Sequence, residues 1–175
     1  MSSGPAGGAR PSHDIELDWP ALYERHGPEL SAFAYRLTGD MEAARDIVQD
    51  TFARAIERER SLRDRGAVRA WLYRIAARLV VSRRRRRAIL AFVPFAGTER
   101  APEPDADTAA LVRTALARIP SHEAVALVLA YHEGLSRAEI ASVLDVPEET
   151  VRTRIHRGRK SFGAAYRRLE RGLAG

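Results

Sequence analysis

Apolar residues recur every three or four positions along most of the chain, and no segment alternates between apolar and polar residues. This spacing is typical of amphipathic helices rather than strands. In the first half, apolar stripes over residues 22–37, 43–56 and 68–80 predict three helices. Residues 38–40 supply a stop and a new start, and residues 61–66 form a polar loop. Three helices with these stripes can form a small bundle around one core.

The second half predicts four more helices. A stripe from about Thr108 to Ile119 ends at Pro120, and Ser121 is expected to cap a helix that ends at Gly134. Two short helices follow within residues 134–160. The pattern therefore indicates an all-α protein with two small helical domains joined by a flexible linker.

The last helix pair, GLSRAEIASVLDVPEETVRTRIHRGRK, carries the clearest functional signal. Ser136 and Glu139 are spaced for a capping box, and Pro147 is well placed to open the second helix. Val151 and Ile155 are four apart and are expected to face inward, which leaves the long cationic side chains on the outer faces. Such a helix suits the major groove of DNA. The alternative interpretation is a solvated basic helix on an ordinary αα-hairpin.

Charge is distributed unevenly along the 175 residues, whose net charge is +6. Residues 54–87 carry about +10 and residues 148–175 about +5, whereas residues 18–50 carry about −4. Two basic zones indicate a polyanion bound at two places, and the acidic zone between the tail and the first of them suits a different partner.

Several classes of function are excluded or disfavoured. The chain has no cysteine, which excludes disulfides and thiolate metal sites, and its five histidines show no metal-ligand spacing. No apolar run approaches a membrane span, and the N-terminal residues lack the apolar core of a signal peptide. We therefore expect a cytoplasmic protein without cofactor or metal, which is not an enzyme and has a disordered tail at residues 1–17.

The connector between the two halves, residues 88–107, is divided in composition. Its second part is rich in proline and acidic residues and is expected to be extended. Its first part, AILAFVPFAG, is unusually apolar for a linker. Two interpretations stay open: this part packs back on the first bundle, or it binds a partner.

Three strings in order resemble an extracytoplasmic-function (group IV) sigma factor of the sigma-70 family. EAARDIVQDTFARAIE is similar to the family's polymerase-binding helix, and RAWLYRIAARLVVSRRRR to its promoter-melting and −10 helix. LARIPSHEAVALVLAYHEGLSRAEIASVLDVPEETVRTRIHRGRKSF resembles its −35-binding domain. The resemblance implies a region 2 domain over residues 18–87, a region 4 domain over 108–175, and promoter recognition, DNA melting and transcription initiation as the function.

The resemblance also implies partners and site residues. The partners are promoter DNA, the β′ clamp helices and β flap of core RNA polymerase, and an anti-sigma factor. Polymerase binding falls on Asp46, Gln49, Asp50 and Phe52, of which Phe52 is expected in the core. Contact with the −10 element and the melted strand falls on Leu62, Arg63, Trp71, Tyr73, Arg74, Arg78, Ser82, Arg83 and Arg84. Contact with the −35 element falls on Arg152, Thr153, Arg154, His156, Arg157, Arg159 and Lys160.

Aromatic rings and arginines interleave in the −10 helix, as in proteins that bind single-stranded DNA. Trp71 and Tyr73 are two residues apart and cannot both face inward, so we expect Trp71 to pack in part, and either Tyr73 or the polar edge of Trp71 to stay available to a base. Arg78 and Ser82 stand where the family often carries Asn and Asp, which alters any −10 specificity carried over. A free-standing helix-turn-helix regulator is the main rival, and a basic RNA-binding or structural protein is a second. The first rival leaves the acidic helix, Trp71 and the arginine run unexplained, and the two-block organisation argues against the second.

Overall fold

The computed structural model describes residues 17–62, 64–91 and 108–173. Within these ranges the chain forms seven α-helices and two short 3₁₀ turns, and no strand. The helices are α1 (Trp19–Thr38), α2 (Met41–Glu57), α3 (Val68–Ala91), α4 (Thr108–Ala117), α5 (Ser121–Tyr131), α6 (Arg137–Leu144) and α7 (Glu148–Leu173). The all-α prediction is confirmed.

Side-chain caps define the ends of the first two helices. The Asp18 carboxylate accepts a hydrogen bond from the Ala21 N–H at 3.0 Å, and Asp40 does the same for Ala43 at 3.0 Å. Between the helices, Gly39 adopts a left-handed conformation with φ of 69° and closes α1. Each side-chain cap contributes about 1 kcal/mol to helix stability. The stop and restart at residues 38–40 lie where the pattern predicts them.

Two expectations about helix ends are wrong. Helix α3 continues through Ala91, so the first residues of the expected connector are helical, whereas the rest of its apolar part lies outside the described residues. Pro120 takes the N-cap position of α5 and Ser121 is the first helical residue, so Ser121 does not cap this helix. The proline has no N–H to leave unsatisfied and its φ of −53° suits the entry into a helix.

The core is continuous across both halves of the chain. In the first half Leu30, Phe33 and Leu72 are fully buried among α1, α2 and α3. In the second half Leu129 and Ile140 are fully buried among α4 to α7, and both sets belong to one apolar cluster. Helices α4 and α5 pack against α1, and α5 and α6 pack against α3. The first three helices, hereafter block one, therefore lie directly against the last four, block two.

Candidate DNA and protein interfaces

Helices α6 and α7 form the predicted helix-turn-helix. The capping box is confirmed: the Ser136 N–H donates to Glu139 Oε2 at 2.8 Å, and the Glu139 N–H donates to Ser136 Oγ at 3.3 Å. Asp145 ends α6 in a left-handed conformation with φ of 55°, a value that Asp tolerates better than most residues. Buried Val143 and Val151 hold the two helices together, so the turn presents α7 at a fixed angle.

The outer face of α7 is cationic, as predicted. Five of the seven residues proposed for the −35 element are exposed, and the other two, Thr153 and Arg154, are half-buried. The exposed ones are Arg152, His156, Arg157, Arg159 and Lys160. Ile155 is only half-buried and packs against the edge of the core. The face that would meet a major groove is therefore open to solvent in this structure.

Glu149 modifies this face at its N-terminal end. Its carboxylate accepts hydrogen bonds from the Arg152 guanidinium, with Arg152 Nε 2.9 Å from Oε2. This hydrogen bond lowers the pKa of Glu149, and the same partner raises the pKa of Arg152. The pair lies in solvent, so Arg152 can exchange Glu149 for a base or a phosphate at small cost. Arg152 is thus a less independent donor than Arg157.

Gly158 lets α7 pack closely on α5. A Cβ at this position would lie 3.1 Å from Leu127 Cγ and 3.3 Å from Glu123 Cβ. Glu123 is itself buried, and its Oε2 has no hydrogen-bond partner among the described residues. Sequence reasoning missed both residues, because a glycine inside a helix and an acidic residue in a first turn are common on exposed surfaces. Close approach here sets the distance between α7 and α5.

Helix α2 carries the predicted acidic strip. Asp46, Gln49 and Asp50 are exposed on one side of the helix, where they can meet a partner. Asp46 Oδ2 lies 3.1 Å from Arg83 Nη1 of α3, in a solvent-exposed ion pair. Phe52 is buried, as expected, and its ring packs against Tyr23 at a centroid distance of 5.0 Å.

An apolar groove adjoins this helix and was not predicted. It measures about 390 Å³ and is lined by Trp19, Pro20, Tyr23, Glu24, Phe52 and Ile56. The apolar stripes over residues 22–37 and 43–56 include Tyr23 and Ile56 and predict that both face inward, but they are 49% and 52% exposed. A helical stripe predicts the direction of a side chain, but it does not say whether another element covers it. Here no described helix covers Tyr23 and Ile56 at the edge of the apolar stripe.

Tyr73 occupies a position opposite to the one expected. The ring is fully buried, edge-on to Phe33 at 5.3 Å, and its hydroxyl donates to Glu133 Oε2 at 2.6 Å. Burial and the hydrogen bond to Glu133 raise the pKa of Tyr73 well above its usual range. Trp71 is the half-buried ring of the two, packed against the core. Of the two alternatives, an available Tyr73 is wrong for this arrangement, whereas an available edge of Trp71 stays a prediction.

Three arginines proposed for the −10 element also contact block two. Arg74 Nη2 lies 3.2 Å from Ser142 Oγ, and Arg78 Nη2 lies 3.3 Å from Asp145 Oδ2. Arg84 Nη2 donates to the carbonyl oxygens of Leu116 at 2.8 Å and Ile119 at 2.9 Å. Burial lowers the pKa of Arg84. The carbonyl oxygens at the end of α4 carry partial negative charge and stabilise the guanidinium there. Arg74 and Arg78 thus contact α6 and the residue that ends it, whereas Arg84 contacts the end of α4 and the turn that follows.

The other proposed −10 residues lie elsewhere. Leu62 is half-buried in the loop before α3, Ser82 accepts a hydrogen bond from Arg86 at 3.2 Å, and Arg83 pairs with Asp46. Arg63 lies outside the described residues. Within the described ranges, no group of three His, Asp or Glu side chains is placed to hold a metal ion. No helix in those ranges is long and apolar enough to cross a membrane.

Two family models match the chain, one in each half. Residues 22–89 match Sigma-70 region 2, and residues 109–162 match Sigma-70, region 4. Similar proteins include the ECF RNA polymerase sigma factor SigL of Mycobacterium tuberculosis, 35% identical over 144 residues, which cover 78% of this chain and 81% of SigL. SigW of Bacillus subtilis, also an ECF RNA polymerase sigma factor, is 32% identical over 158 residues, 81% of this chain and 84% of SigW.

Two solved structures share the fold. CnrH, in complex with the cytosolic domain of CnrY, is 28% identical with a TM-score of 0.61 over 83% of this chain and 85% of CnrH. RpoE of Bartonella quintana, in complex with the anti-sigma factor NepR, is 24% identical with a TM-score of 0.68 over 86% of this chain and 97% of RpoE. The region 2 match falls on α1 to α3 and the region 4 match on α4 to α7, the same division as blocks one and two.

Proposed function

The chain belongs to the sigma-70 family, as an extracytoplasmic-function RNA polymerase sigma factor that serves transcription initiation, and we propose that it divides this task among three surfaces. The acidic strip of α2 binds core polymerase, α3 and the loop before it bind the −10 element and the melted strand, and α7 binds the −35 element. Catalysis is left to the polymerase. The family's group IV is the subgroup we assign.

The observation that carries the proposal is the separation of charge between α2 and α7. The carboxylates of Asp46 and Asp50 lie in solvent on block one, and the cations of α7 lie in solvent on block two. A free-standing DNA-binding regulator needs the second surface but has no use for the first. A sigma factor needs both, because it must hold polymerase and promoter at once.

The proposed polymerase contacts are the β′ clamp helices for the strip and the β flap for block two. The exposed groove formed by Trp19, Tyr23 and Ile56 lies beside the strip and supplies apolar area that carboxylates alone lack. An anti-sigma factor is a further proposed partner, since RpoE and CnrH were each solved in complex with a second protein and that of RpoE is an anti-sigma factor. Polymerase as the partner implies a cytoplasmic location.

A strand-opening experiment tests the proposed role of α3. In complexes with core polymerase on a promoter recovered from a genomic library, Trp71→Ala is expected to reduce permanganate reactivity of thymines in the melted region about 5- to 150-fold. The reason is the loss of base stacking, which is worth about 1–3 kcal/mol per ring. Tyr131→Ala is the matched control, because it removes a ring that is 66% exposed on block two.

Thermal unfolding of both variants is measured as well, because Trp71 is half-buried and its removal must leave the protein folded. Undiminished thymine reactivity in a folded Trp71→Ala complex would contradict the assignment of strand binding to this part of α3. Equal losses in both variants would point to a general weakening of the complex instead.

A further inference from the structure

A cleft lies between the first turn of α5 and the N-terminal half of α7. It measures about 290 Å³ and is lined by His122, Glu123, Thr150, Thr153, Arg154 and Arg157. The four residues from α7 recur at intervals of three and four, so they share one face of that helix. Glu123 is the acidic residue among the six, and it does not belong to the proposed −35 surface.

Glu123 is an unpaired acceptor in this cleft. Its side chain is only 8% exposed, and Oε2 is buried without a hydrogen-bond partner among the described residues. Oε1 lies 4.0 Å from His122 Nε2, which is too far for a hydrogen bond. A buried carboxylate oxygen without a donor costs free energy, and buried acidic side chains are normally paired. Packing alone therefore gives no reason for an acidic residue at this position.

Arg157 is an unpaired donor in the same cleft. Its side chain is exposed, and no carboxylate lies within ion-pair distance of it in the described part of the chain. A guanidinium carries five N–H donors, stays charged at neutral pH and binds carboxylates more strongly than a hydroxyl does. An arginine without an acceptor and a carboxylate without a donor thus line one cleft.

The packing of α5 on α7 favours Arg157 over Arg154 as the partner of Glu123. Glu123 approaches α7 at Gly158, where an added Cβ would lie 3.3 Å from Glu123 Cβ. Arg157 is adjacent to Gly158, whereas Arg154 lies about 6 Å nearer the start of α7. Helical side chains lean towards the N-terminus of their helix, so the side chain of Arg154 leads away from Glu123. The terminal torsion of a glutamate is soft, so its carboxylate can turn Oε2 towards a guanidinium that enters the cleft.

We propose that Glu123 is a positioning residue of the −35 surface: when α7 lies in a major groove, its carboxylate accepts a hydrogen bond from Arg157 and orients that guanidinium towards a guanine. The inference rests on the proposed function of α7. It adds a residue of α5 that does not touch DNA, and it names the base that Arg157 contacts.

The donors of an arginine allow both contacts at once. Guanine presents two acceptors in the major groove, O6 and N7, and an arginine that binds both uses two of its five N–H donors. Other donors of the same guanidinium remain for a carboxylate. A guanidinium that is held in one plane distinguishes guanine from adenine, because adenine presents an amino group where guanine presents O6. Glu123 supplies that constraint from the protein side of Arg157.

Glu123 is therefore expected to act on specificity and on affinity in opposite directions. Its hydrogen bond to Arg157 favours one base, whereas its negative charge repels the phosphates of every duplex. A residue with a purely structural role behaves differently, since its replacement lowers thermal stability and weakens binding to all duplexes alike.

The test uses the full chain and duplexes that the wild type selects from a random library. The position contacted by Arg157 is the one at which Arg157→Ala relaxes the preference, and guanine is expected there. Glu123→Gln, which keeps the size of the side chain, is expected to reduce the preference for guanine over adenine at that position at least about fivefold. Affinity for an unrelated duplex is expected to rise about 1.4- to 5-fold with the loss of one negative charge.

Thermal unfolding of Glu123→Gln is measured on the same preparation. Its midpoint is expected to equal or exceed that of the wild type, because the carboxylate that it replaces is buried and unpaired. Glu123→Asp keeps the negative charge but withdraws it by one methylene group. This variant is expected to lose the preference for guanine without a gain in affinity for the unrelated duplex.

Glu148→Gln is the matched control for charge. Glu148 is exposed at the start of α7 and lies outside the cleft, and this change also removes one negative charge. The control is expected to raise affinity for all duplexes alike and to keep the preference for guanine.

A double-variant cycle identifies the arginine that Glu123 positions. Glu123→Gln combined with Arg157→Ala is expected to show no loss of discrimination beyond that of Arg157→Ala alone, because both changes remove the same contact. Combined with Arg154→Ala, Glu123→Gln is expected to have its full effect.

Three results would overturn the inference. These are a preferred base other than guanine at the position that Arg157 contacts, an undiminished preference in both Glu123→Gln and Glu123→Asp, and additive effects of Glu123→Gln and Arg157→Ala on discrimination. A wild-type chain that selects no duplex from the library would instead refute the proposed role of α7, and this inference with it.

Discussion

Replacing Asp46 and Asp50 together by alanine is expected to weaken binding to core RNA polymerase about 10- to 100-fold. The two carboxylates lie in solvent on one side of α2, four residues apart, with Gln49 beside them. Hydrogen bonds to charged groups contribute about 1.5–3 kcal/mol each when both partners are present, and solvent exposure reduces the sum for the two carboxylates to about 1.4–2.7 kcal/mol. Affinity is measured by fluorescence anisotropy of labelled chain titrated with core enzyme.

The matched control is Glu148→Ala with Glu170→Ala, which makes the same change in net charge on block two. The control is expected to bind core polymerase within about twofold of the wild type, because Glu148 and Glu170 are not part of the acidic strip and screening weakens the effect of distant charges on it. Removal of the Asp46 carboxylate also leaves Arg83 without its partner at 3.1 Å. Arg83→Ala measures separately whether the loss of this ion pair affects polymerase binding. Unchanged polymerase binding in the Asp46/Asp50 variant would refute the docking face.

Arg157→Ala is expected to reduce affinity for a −35 duplex about 5- to 150-fold, the equivalent of about 1–3 kcal/mol. Arg157 is exposed on the outer face of α7 and has no carboxylate within ion-pair distance in the described part of the chain. Arg152→Ala is expected to cost less, because Arg152 is shared with Glu149. Binding is measured at two or more salt concentrations on duplexes that differ at single positions.

The form of the loss identifies the contact. A base contact predicts relaxed preference at one position, whereas a phosphate contact predicts uniform weakening and a salt slope smaller by about 1. Arg168→Ala is the matched control: it removes the same cation from nearly the same face of α7, about 16 Å farther along the helix. Wild-type affinity in Arg157→Ala, or an equal loss in Arg168→Ala, would contradict the placement of the −35 surface.

Local signals in the sequence predict the helices well. Asp18, Asp40 and Ser136 each cap the helix that follows them, and Gly39 closes α1 with a positive φ. Such signals involve residues within about four positions of one another, so spacing alone reveals them. The helix-turn-helix was predictable for the same reason, since its cap, turn and buried valines lie within twenty residues.

The environment of α3 could not be predicted in this way. Tyr73 is buried because Phe33 receives its ring and Glu133 its hydroxyl, and these partners are 40 and 60 residues away along the chain. Arg74 and Arg78 are polar, so a face that meets a second block has the same pattern as a face that meets water. Periodicity separates apolar from polar faces but does not distinguish two polar environments.

Run-off transcription with purified core polymerase on a genomic fragment library is the most direct test of the central claim. The expected result is a set of discrete transcripts that appear only when the chain is added, start at sites sharing two spaced sequence elements, and are reduced in the Asp46/Asp50 variant. Core polymerase alone provides the background. Transcripts that are the same with and without the chain would contradict its role in initiation, however well its last helix binds DNA.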